Sequence, residues 1–419
     1  MKKSVGGAVG WQAKRFDAFA VLQRGFDLPS TSRKSGRIPV IGSNGIVGWH
    51  DTARVHGPGV ATGRSGSIGE SIFSEADFWP LNTALYISNF HGNVPQFVHY
   101  FLKWFDLSRF QGGVSVPTLN RNMVHDAEVL VPPKDEQEKI AAILWKLQRA
   151  IATQDRLIAT TRDLKQSAMA HLFTHGLRGE ALKETEIGPM PESWNPVHLG
   201  DVCTLSTGTT PATKDKHYYE GEVPFIKTAD IVNNRISTAN TYVSKQAVVD
   251  YSLKLFPPGT VLMAMYGQGK TRGQVSLLEF GAATTQNAGA IQPSNEMDPV
   301  FLWQYLMSCY DRLREMGSLG HISHLNLGYL RDLVIVKPPL IEQRDIGATL
   351  TTIDRKLTHH QKKRAALNDL FQTLLHKLMS AEIRVVDLDI DTSEVAAPAA
   401  DHFVDVNKMI STRKKTLTQ

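Results

Sequence analysis

The chain has 419 residues, of which 42% are hydrophobic and 21% are charged, and its formal net charge is +5. This composition predicts a soluble protein of two to three domains, and the absence of any apolar run of about 18 residues excludes a membrane-spanning helix. The amino-terminal sequence MKKSVGGAVG is too short and too rich in glycine for the apolar core of a signal peptide. We therefore expect a cytoplasmic protein without a membrane partner.

The two cysteines do not indicate a metal site or a disulfide framework. Cys203 and Cys309 lie more than a hundred residues apart, and neither belongs to a C-x-x-C motif. We expect this chain to bind no metal and no cofactor of its own. The basic charge balance allows a polyanionic partner without requiring one.

Residues 1–133 form the first predicted domain. Short β-rich runs alternate with glycine, proline and asparagine, and a helical piece around Phe97 to Phe105 comes near the end. A glycine-rich stretch, GVATGRSGSIG at 59–69, precedes FWPLNTALY at 78–86. We interpret this region as a mixed α/β domain dominated by a twisted sheet.

Residues 134–175 form a long predicted helix that follows the pair Pro132-Pro133. Apolar residues recur at alternating steps of four and three, and neither glycine nor proline interrupts them. The helix-pairing positions of its first half are Ile140, Leu144, Leu147 and Ile151. Residues 176–195 contain three glycines and two prolines, which rule out a continuous helix, and we interpret them as a linker.

Residues 196–339 form a second domain that repeats the first. Trp194 echoes Trp11, and Gly208 echoes Gly25. The offset grows from 183 residues at the tryptophans to 206 at the helices, so the second domain carries insertions in its loops.

Residues 340–380 repeat the long helix. Glu342-Gln343 lies 206 residues after Glu136-Gln137, and each pair follows a Pro-Pro. The corresponding seam positions are Ile346, Leu350, Ile353 and Leu357. A helix of this length spans roughly 55 Å, so its apolar stripe needs a partner, and its own repeat is the obvious one. The alternative is two unrelated helices that each cover their own domain. We expect residues 381–419 to be a weakly structured tail.

The predicted fold class is therefore α+β. It comprises two mixed α/β domains joined by two long coiled-coil helices, with an internal repeat. The chain resembles the specificity subunit of type I restriction-modification enzymes, and this resemblance implies that the helices are antiparallel and that the repeat is pseudo-twofold. The resemblance rests on the two PP-x(2)-EQ helix openings, LKETEIGPMPESW in the linker, and GRSGSIG followed by FWPLNTALY. It departs from the pattern where Trp11 is followed by Arg15-Phe16 and not by Leu-Gly.

This resemblance implies that the chain recognises DNA and catalyses no reaction itself. Each domain would be a target recognition domain that reads one half of a split, asymmetric site in double-stranded DNA. The helices would form an antiparallel spacer that docks two methyltransferase subunits, and through them the restriction and translocase subunits. S-adenosylmethionine, ATP and Mg²⁺ would be bound by those partners. Among docking surfaces on the outer helix faces we include Lys139, Lys146, Arg355 and Lys356.

Base readout requires side chains that match the donors and acceptors on base edges, and polar or glycine-rich loops supply them. In the first domain these candidates are Ser43, Asn44, Arg64, Ser65, Ser67 and Arg121. In the second they are Lys227, Thr228, Gln268, Lys270, Arg272, His321 and His324. We take Arg64 and Arg272 as matched positions of the repeat, although both could be solvated loop charges. The two histidines lack the further ligands that a metal would need.

Two other functions compete with DNA recognition. AMYGQGKT at 264–271 nearly fits the phosphate-binding G-x-x-x-x-G-K-[ST], but its first glycine is Ala264 and a β-branched run follows it. A nucleotide-binding enzyme is therefore a weak alternative. A coiled-coil scaffold that binds only protein would be favoured if the purified chain showed no salt-dependent affinity for DNA.

Overall fold

The computed structural model describes residues 9–112, 117–267, 270–316 and 325–396. The chain divides into two compact units. The first unit is formed by residues 1–155 and 363–419, and the second by residues 156–362. Each unit therefore contains one mixed domain together with part of each of two long helices.

The first domain contains three short helices and eleven strands. The strands are β1 (Gln12–Arg15), β2 (Val21–Arg24), β3 (Ile38–Gly42), β4 (Gly45–His50), β5 (Gly59–Gly63), β6 (Ser71–Ser74), β7 (Trp79–Pro80), β8 (Ala84–Asn89), β9 (Gln111–Gly112), β10 (Thr118–Leu119) and β11 (Glu128–Val131). The helices are α1 (Phe16–Phe19), α2 (Pro95–Trp104) and α3 (Arg121–His125).

The main sheet of the first domain has the strand order β2-β8-β5-β6 and is antiparallel. A smaller sheet has β3 between β4, which is antiparallel to it, and β7, which is parallel. β1 pairs with β11, from Gln12 opposite Val131 to Arg15 opposite Glu128. This pairing brings the two ends of the domain together.

Aromatic side chains fill the core of the first domain. Phe16, Phe19, Phe97 and Phe101 are almost completely buried, and the rings of Phe19 and Phe101 pack edge to face with centroids 5.0 Å apart. Seven of the ten residues of α2 are buried. Because α2 is covered nearly all round, it is an internal helix of this domain and not a surface helix.

One long helix, α4 (Lys134–His175), follows the first domain. The second unit then contributes the strands β12 (Leu182–Lys183), β13 (Met190–Pro191), β14 (Asn195–His198), β15 (Cys203–Thr207), β16 (Val223–Ile226), β17 (Arg235–Ile236), β18 (Tyr242–Val243), β19 (Val261–Ala264), β20 (Val275–Leu278), β21 (Ala283–Thr284), β22 (Ala288–Pro293) and β23 (Val334–Lys337). Its helices are α5 (Leu199–Val202), α6 (Lys245–Asp250), α7 (Pro299–Ser308), α8 (Tyr310–Met316) and α9 (Leu327–Arg331).

The second domain repeats the topology of the first. Its main sheet has the order β15-β22-β19-β20-β17, and a smaller sheet has β16 between antiparallel β18 and parallel β21. β14 pairs with β23 as β1 pairs with β11. The second domain adds the edge strand β17, which lies parallel to β20. The internal repeat predicted from the sequence is therefore confirmed, with an insertion in the second copy.

The second long helix, α10 (Leu340–Met379), runs antiparallel to α4 within each unit. In the first unit, Arg364 Nε lies 3.0 Å from Asp155 Oδ1. In the second unit, Lys165 Nζ lies 2.7 Å from Asp354 Oδ1. These two contacts pair earlier residues of α4 with later residues of α10. The α+β class and the paired long helices are thus confirmed.

The predicted seam positions lie on the inner faces of these helices and also pack against the domains. Ile140 and Leu144 are buried in the first core together with Phe371 and Leu378, and Leu147 and Ile151 pack partly against it. In the second unit, Ile346 and Leu350 are buried in the main core, Ile353 packs against that core, and Leu357 is half-buried. The apolar stripe therefore covers its own domain at the start of each helix.

The repeated Glu-Gln pairs fasten each helix to its domain. Glu136 accepts hydrogen bonds from Trp11 Nε1 at 3.0 Å and from Arg384 Nε at 2.7 Å. Gln137 accepts from the backbone N–H of Val94 at 3.0 Å and donates to Pro132 O at 3.0 Å. Both side chains are 2% exposed.

The second unit repeats this arrangement. Glu342 accepts from Trp194 Nε1 at 3.2 Å and lies 3.5 Å from Arg178 Nε. Gln343 accepts from the backbone N–H of Asp298 at 2.7 Å and donates to Pro338 O at 2.8 Å. Each PP-x(2)-EQ opening thus satisfies buried backbone groups of its domain and orients the tryptophan before it.

The expectation of a weakly structured tail is wrong for residues 381–396, and residues 397–419 lie outside the described part of the chain. Val385 and Val395 are buried in the first core, and α11 (Ser393–Ala396) closes the segment. We call residues 385–395 the carboxyl-terminal strap. Its buried valines provide the apolar contact that sequence reasoning missed, because this segment is otherwise rich in acidic residues.

The strap also changes the interpretation of two predicted docking residues. Lys139 Nζ donates to Val386 O at 2.6 Å, and Lys146 Nζ donates to Asp391 O at 3.1 Å. Both lysines therefore contact the chain's own strap. Arg355 and Lys356, in contrast, are exposed on α10.

Candidate nucleic-acid interface

A cleft of about 450 Å³ in the first domain brings two of the predicted DNA-contacting arginines together. Its described lining combines arginine and amide side chains with backbone of β9 and β10, and contains no carboxylate: Arg24, Arg64, Leu85, Gly112, Thr118, Leu119, Asn120, Arg121 and Asn122. Guanidinium and amide groups are the ones that recognise phosphates and base edges. The cleft is therefore suited to a polyanion.

Backbone hydrogen bonds hold Arg64 at the end of β5. Its N–H donates to Thr83 O at 2.9 Å, and its carbonyl accepts from the N–H of Leu119 at 2.8 Å. Its Nη1 also donates to Asn82 O at 3.3 Å. The backbone of Arg64 is thus fixed by both neighbouring segments, and its guanidinium borders the cleft.

Arg121 reaches the same cleft from the first turn of α3. The side chain of Asn120 caps this helix by accepting from the N–H of Asn122 at 3.1 Å. Arg121 is exposed. Because the cap fixes where α3 begins, it also fixes the direction in which Arg121 leaves the backbone.

The remaining first-domain candidates lie on the loops beside Arg64. Ser43 and Asn44 form the turn between β3 and β4, and Ser65 bridges to Thr118 in the β10 strand. A side chain at Gly63 would collide with the carbonyl oxygens of Ser43 and Ser67, so these two loops approach each other closely. None of the four borders the cleft itself.

Sequence reasoning missed three residues of this cleft: Arg24, Asn120 and Asn122. Arg24 ends β2 immediately before Gly25, and the match of Gly25 with Gly208 in the repeat marked that strand end as a position of interest. Asn120 had a comparable signal, since Leu119-Asn120 matches Leu325-Asn326 in the repeat, whereas Asn122 had none. The hydrogen bond from the N–H of Leu119 to Arg64 O brings both asparagines to the cleft.

In the second unit, the assumed match of Arg64 with Arg272 is wrong. The N–H of Met265 donates to Asn287 O at 3.0 Å and its carbonyl accepts from the N–H of Leu325 at 3.0 Å, as Arg64 does with Thr83 and Leu119. Met265 is therefore the structural counterpart of Arg64. Arg272 lies further along, in a strand connection that is longer than in the first domain.

The other second-domain candidates are distributed over separate loops. Lys227 is exposed before the short turn of helix at Thr228–Asp230, and Thr228 Oγ1 lies 3.1 Å from Thr285 Oγ1. Lys270 is exposed, and its carbonyl accepts from the hydroxyl of Tyr310 at 2.7 Å. Arg272 Nη2 contacts the carbonyl of Arg314 at 3.5 Å. Gln268, His321 and His324 lie outside the described residues.

The described residues give no support for a nucleotide site in 264–271. β19 ends at Ala264 and strand β20 begins at Val275, and no helix lies among the described residues between them, 265–267 and 270–274. A phosphate-binding loop would instead lead into a helix. The described residues therefore lack the helix that should follow a phosphate-binding loop.

Neither cysteine is set up as a nucleophile or ligand. Cys203 and Cys309 are free and buried, and burial raises the pKa of the Cys203 thiol to about 12. Within the described ranges, no group of three or more His, Cys, Asp or Glu side chains is arranged to hold a metal ion. No helix among them is long and apolar enough to cross a membrane.

Comparison with known proteins gives a consistent family. The type I restriction modification DNA specificity domain matches residues 9–160 and 191–369. The putative type I restriction enzyme MjaX specificity subunit of Methanocaldococcus jannaschii is 24% identical over 301 residues, which are 70% of this chain and 68% of that protein. The type I restriction enzyme HindI specificity subunit of Haemophilus influenzae is 25% identical over 198 residues, 46% of this chain and 42% of that protein.

A solved structure shares the fold. The S subunit of a type I restriction-modification system from M. genitalium has a TM-score of 0.64 at 16% identity, covering 90% of this chain and 98% of that chain. Its likeness supports the repeated architecture and says nothing about individual residues. Because the two regions matched by the specificity domain span most of the sequence, this chain belongs to the family of type I restriction-modification DNA specificity proteins, with two copies of the domain.

Proposed function

We propose that this chain selects the DNA sequence on which a type I restriction-modification complex acts, with each domain reading one half of a bipartite, asymmetric site. The observation that carries the proposal is the arginine-lined cleft in the first of two homologous domains. The loops Ser43-Asn44 and 65–67 lie next to it and would add further contacts.

The difference between the two domains is the reason for expecting an asymmetric site. Arg64 occupies the end of β5, whereas the equivalent position at the end of β19 is Met265. Arginine pairs with guanine or phosphate, whereas the side chain of Met265 is buried in the core and offers no such contact. Two domains that differ at an equivalent position would read different half-sites.

The chemistry of the complex would belong to partner subunits. We propose that two methyltransferase subunits supply S-adenosylmethionine-dependent methylation of adenine, and that restriction subunits supply ATP- and Mg²⁺-dependent translocation and cleavage. A methyltransferase has to extrude its target base from the duplex, and this chain would position that base without reacting with it. The complex would act in the cytoplasm, where it meets chromosomal and incoming DNA.

Strand-specific methylome sequencing tests this function. A host that carries the chain and its methyltransferase partner is compared with a host from which only this chain is deleted. We expect methyladenine at one split, asymmetric motif to disappear on deletion. An unchanged methylome, with the methyltransferase shown to be active, would favour a protein-binding scaffold instead.

A second measurement addresses the cleft. Arg64→Ala combined with Arg121→Ala should weaken binding of a duplex carrying the motif by about 30-fold or more, because each of the two base contacts contributes about 1–3 kcal/mol. Arg37→Ala, which removes an exposed arginine outside the cleft, is the matched control. Equal binding by the double variant and the control would remove the cleft from the interface.

A further inference from the structure

The second unit contains an open groove between α10 and its domain, with a volume of about 690 Å³. Its walls are formed by α10, the start of α7 and the edge strand β17. The lining residues that matter here are Arg235, Val300, Arg344, Thr352, Arg355 and Lys362. All of them belong to the second unit. We call this site the α10 groove.

The α10 groove is lined by four cations, Arg235, Arg344, Arg355 and Lys362, and by three carboxylates, Glu279, Asp298 and Asp354. Asp298 caps the start of α7 by accepting from the backbone N–H groups of Val300 and Phe301. Arg235 pairs with Glu279 at 3.3 Å, and Asp354 is neutralised by Lys165 at 2.7 Å. No carboxylate in the described part of the chain forms a salt bridge with Arg344, Arg355 or Lys362. These three side chains are exposed on α10, and Val300 and Ala348 give the groove an apolar wall.

In the first unit, the equivalent surface is already occupied. Arg149 Nη1 lies 2.8 Å from Glu394 Oε2, and Lys146 Nζ donates to Asp391 O at 3.1 Å. Gln96 Nε2, at the start of α2, donates to Val395 O at 2.8 Å. The occupant is the carboxyl-terminal strap, an acidic segment anchored by buried Val395.

The two surfaces correspond in position, but of the three cations that hold the strap only Arg149 has a cationic counterpart, Arg355; the counterpart of Lys139 is Asp345. Thr352 and Arg355 on α10 lie 206 residues after Lys146 and Arg149 on α4, the same offset that relates the Glu-Gln pairs. α2 and α7 each begin with a proline and run for ten residues, so Val300 corresponds to Gln96. Lys146, Arg149 and Gln96, which contact the strap in the first unit, are therefore the counterparts of residues that line the groove in the second.

The chain's own linker does not fill the second groove. Arg178 is the counterpart of Arg384, since each contacts the glutamate of its Glu-Gln pair. Beyond Arg178, however, the linker turns back on itself. β12 pairs with β13, and Ser193 Oγ donates to Glu180 Oε1 at 2.9 Å. A continuation along α10, like that of the strap along α4, is absent from the described linker.

We infer that the α10 groove is a docking site for an extended acidic segment of a partner polypeptide. Carboxylates of that segment would pair with Arg355 and Lys362, and an apolar side chain would pack on Val300 and Ala348. The volume is that of a site for a small molecule or a short peptide. The strap shows that a segment of this chemistry fits the corresponding surface.

A labelled peptide tests the inference directly. The probe is VVDLDIDTSEV, the sequence of residues 385–395, carrying a fluorophore for anisotropy and a photo-reactive group, and the target is the full chain. We expect saturable binding, with cross-links to residues 340–362. Arg355→Glu combined with Lys362→Glu should weaken it about tenfold or more, since two attractive surface pairs become repulsive.

Two controls make the test specific. Lys254→Glu reverses an exposed charge of the second unit outside the groove and should leave peptide binding unchanged. The neutral peptide VVNLNINTSQV should bind at least tenfold more weakly than the acidic one, because the attraction is largely electrostatic.

Three results would overturn the inference. The first is equal binding of the acidic and neutral peptides, and the second is cross-linking to residues 134–155 alone, which would mean that the probe only replaces the strap. The third is absence of peptide binding while the groove variant loses affinity for duplex DNA, which would assign the groove to nucleic acid. DNA recognition by the cleft near Arg64 is independent of all three.

Discussion

In each unit, a buried glutamate connects the domain to its long helix. Glu136 accepts hydrogen bonds from Trp11 and from both Nε and Nη2 of Arg384, so it joins three distant parts of the first unit. Burial alone would raise the pKa of this carboxyl, but the hydrogen bonds from Arg384 and Trp11 outweigh burial and lower it. Glu136 therefore stays charged at neutral pH.

Replacing this glutamate should loosen the first unit. Glu136→Gln removes the negative charge and one acceptor and leaves Arg384 without its partner, which should cost about 1.5–3 kcal/mol. We expect faster hydrogen exchange in residues 9–20 and 380–390, with no change in 195–205. Glu138→Gln on the same helix turn is the matched control. Equal exchange in both variants would contradict the assigned role.

His99 makes the first unit sensitive to acid. It is 3% exposed, its Nδ1 lies 2.9 Å from Ser71 Oγ, and burial, with a smaller effect of Lys103, holds its pKa well below the usual value. The unfolded chain binds a proton near pH 6.5 while the folded chain does not. The resulting stability is fully present above pH 6.5 and is lost as the pH falls below it.

The free energy of unfolding should therefore decrease between pH 6.5 and 5.5 by up to about 1.4 kcal/mol per pH unit from this group alone. His99→Gln should remove that part of the dependence, and replacing the exposed His217 by glutamine should not. Urea unfolding at pH 7.5, 6.5 and 5.5 provides the comparison. Parallel curves for wild type and His99→Gln would show that His99 is protonated in the folded state.

At the scale of elements, the strap connects the carboxyl-terminal segment of the first unit to helix α4. Val385 and Val395 anchor it in the core, and the carboxylates and carbonyls between them are held by Lys139, Lys146 and Arg149. The salt bridge of Arg149 is exposed and contributes little by itself. The two buried valines are therefore the main source of its stability.

A valine substitution tests whether the buried valines or the polar contacts hold the strap. Val395→Asp should detach the segment around α11 and lower the stability of the first unit by about 1.5–3 kcal/mol, the value of one buried valine. Val386→Asp introduces the same change at a side chain that is 49% exposed and should have little effect. Hydrogen exchange of 385–395 distinguishes the two. Similar protection in both variants would mean that the polar contacts hold the strap.

At the scale of the whole molecule, each domain is closed on itself. Gln12 pairs with Val131 at the ends of the first domain, and Asn195 pairs with Lys337 at the ends of the second. Each domain could therefore be exchanged at adjacent backbone positions without cutting a sheet.

Exchanging residues 12–131 for the corresponding domain of another family member should change only one half of the methylated motif. The reciprocal control exchanges residues 195–337 and should change only the other half. Methylome sequencing of both hybrids gives the answer. A change in both halves from either exchange would refute the assignment of one half-site to each domain.

Repeats and helices were predictable because their signals are local. The two Glu-Gln pairs, their constant offset and the unbroken apolar periodicity follow from helix geometry, which depends on neighbours three and four residues apart. Gly25 and Gly208 were correctly matched, and the structure gives the reason. A side chain at either would collide with a backbone carbonyl of the strand pair beside it, Leu81 O or Thr284 O.

The site was only partly predictable, since it depends on contacts between distant segments. Arg64 and Arg121 could be selected by residue type. That they share a cleft with Arg24 is decided by the pairing of β8 with both β2 and β5, and by the hydrogen bond from the N–H of Leu119 to Arg64 O. The equivalence of Arg64 with Met265, and not with Arg272, depends on backbone hydrogen bonds across the sheet. An insertion in the strand connection hides that equivalence in the sequence.

The sequence by itself determined the duplication, the two long helices and the family, because periodic spacing and short motifs are properties of consecutive residues. Only the tertiary structure decided that residues 385–395 close over α4 while the corresponding surface of α10 stays open. Those outcomes depend on whether an acidic segment finds both an apolar pocket and matching cations. Such matches join residues more than 200 positions apart, such as Arg149 and Glu394, and no local pattern records them.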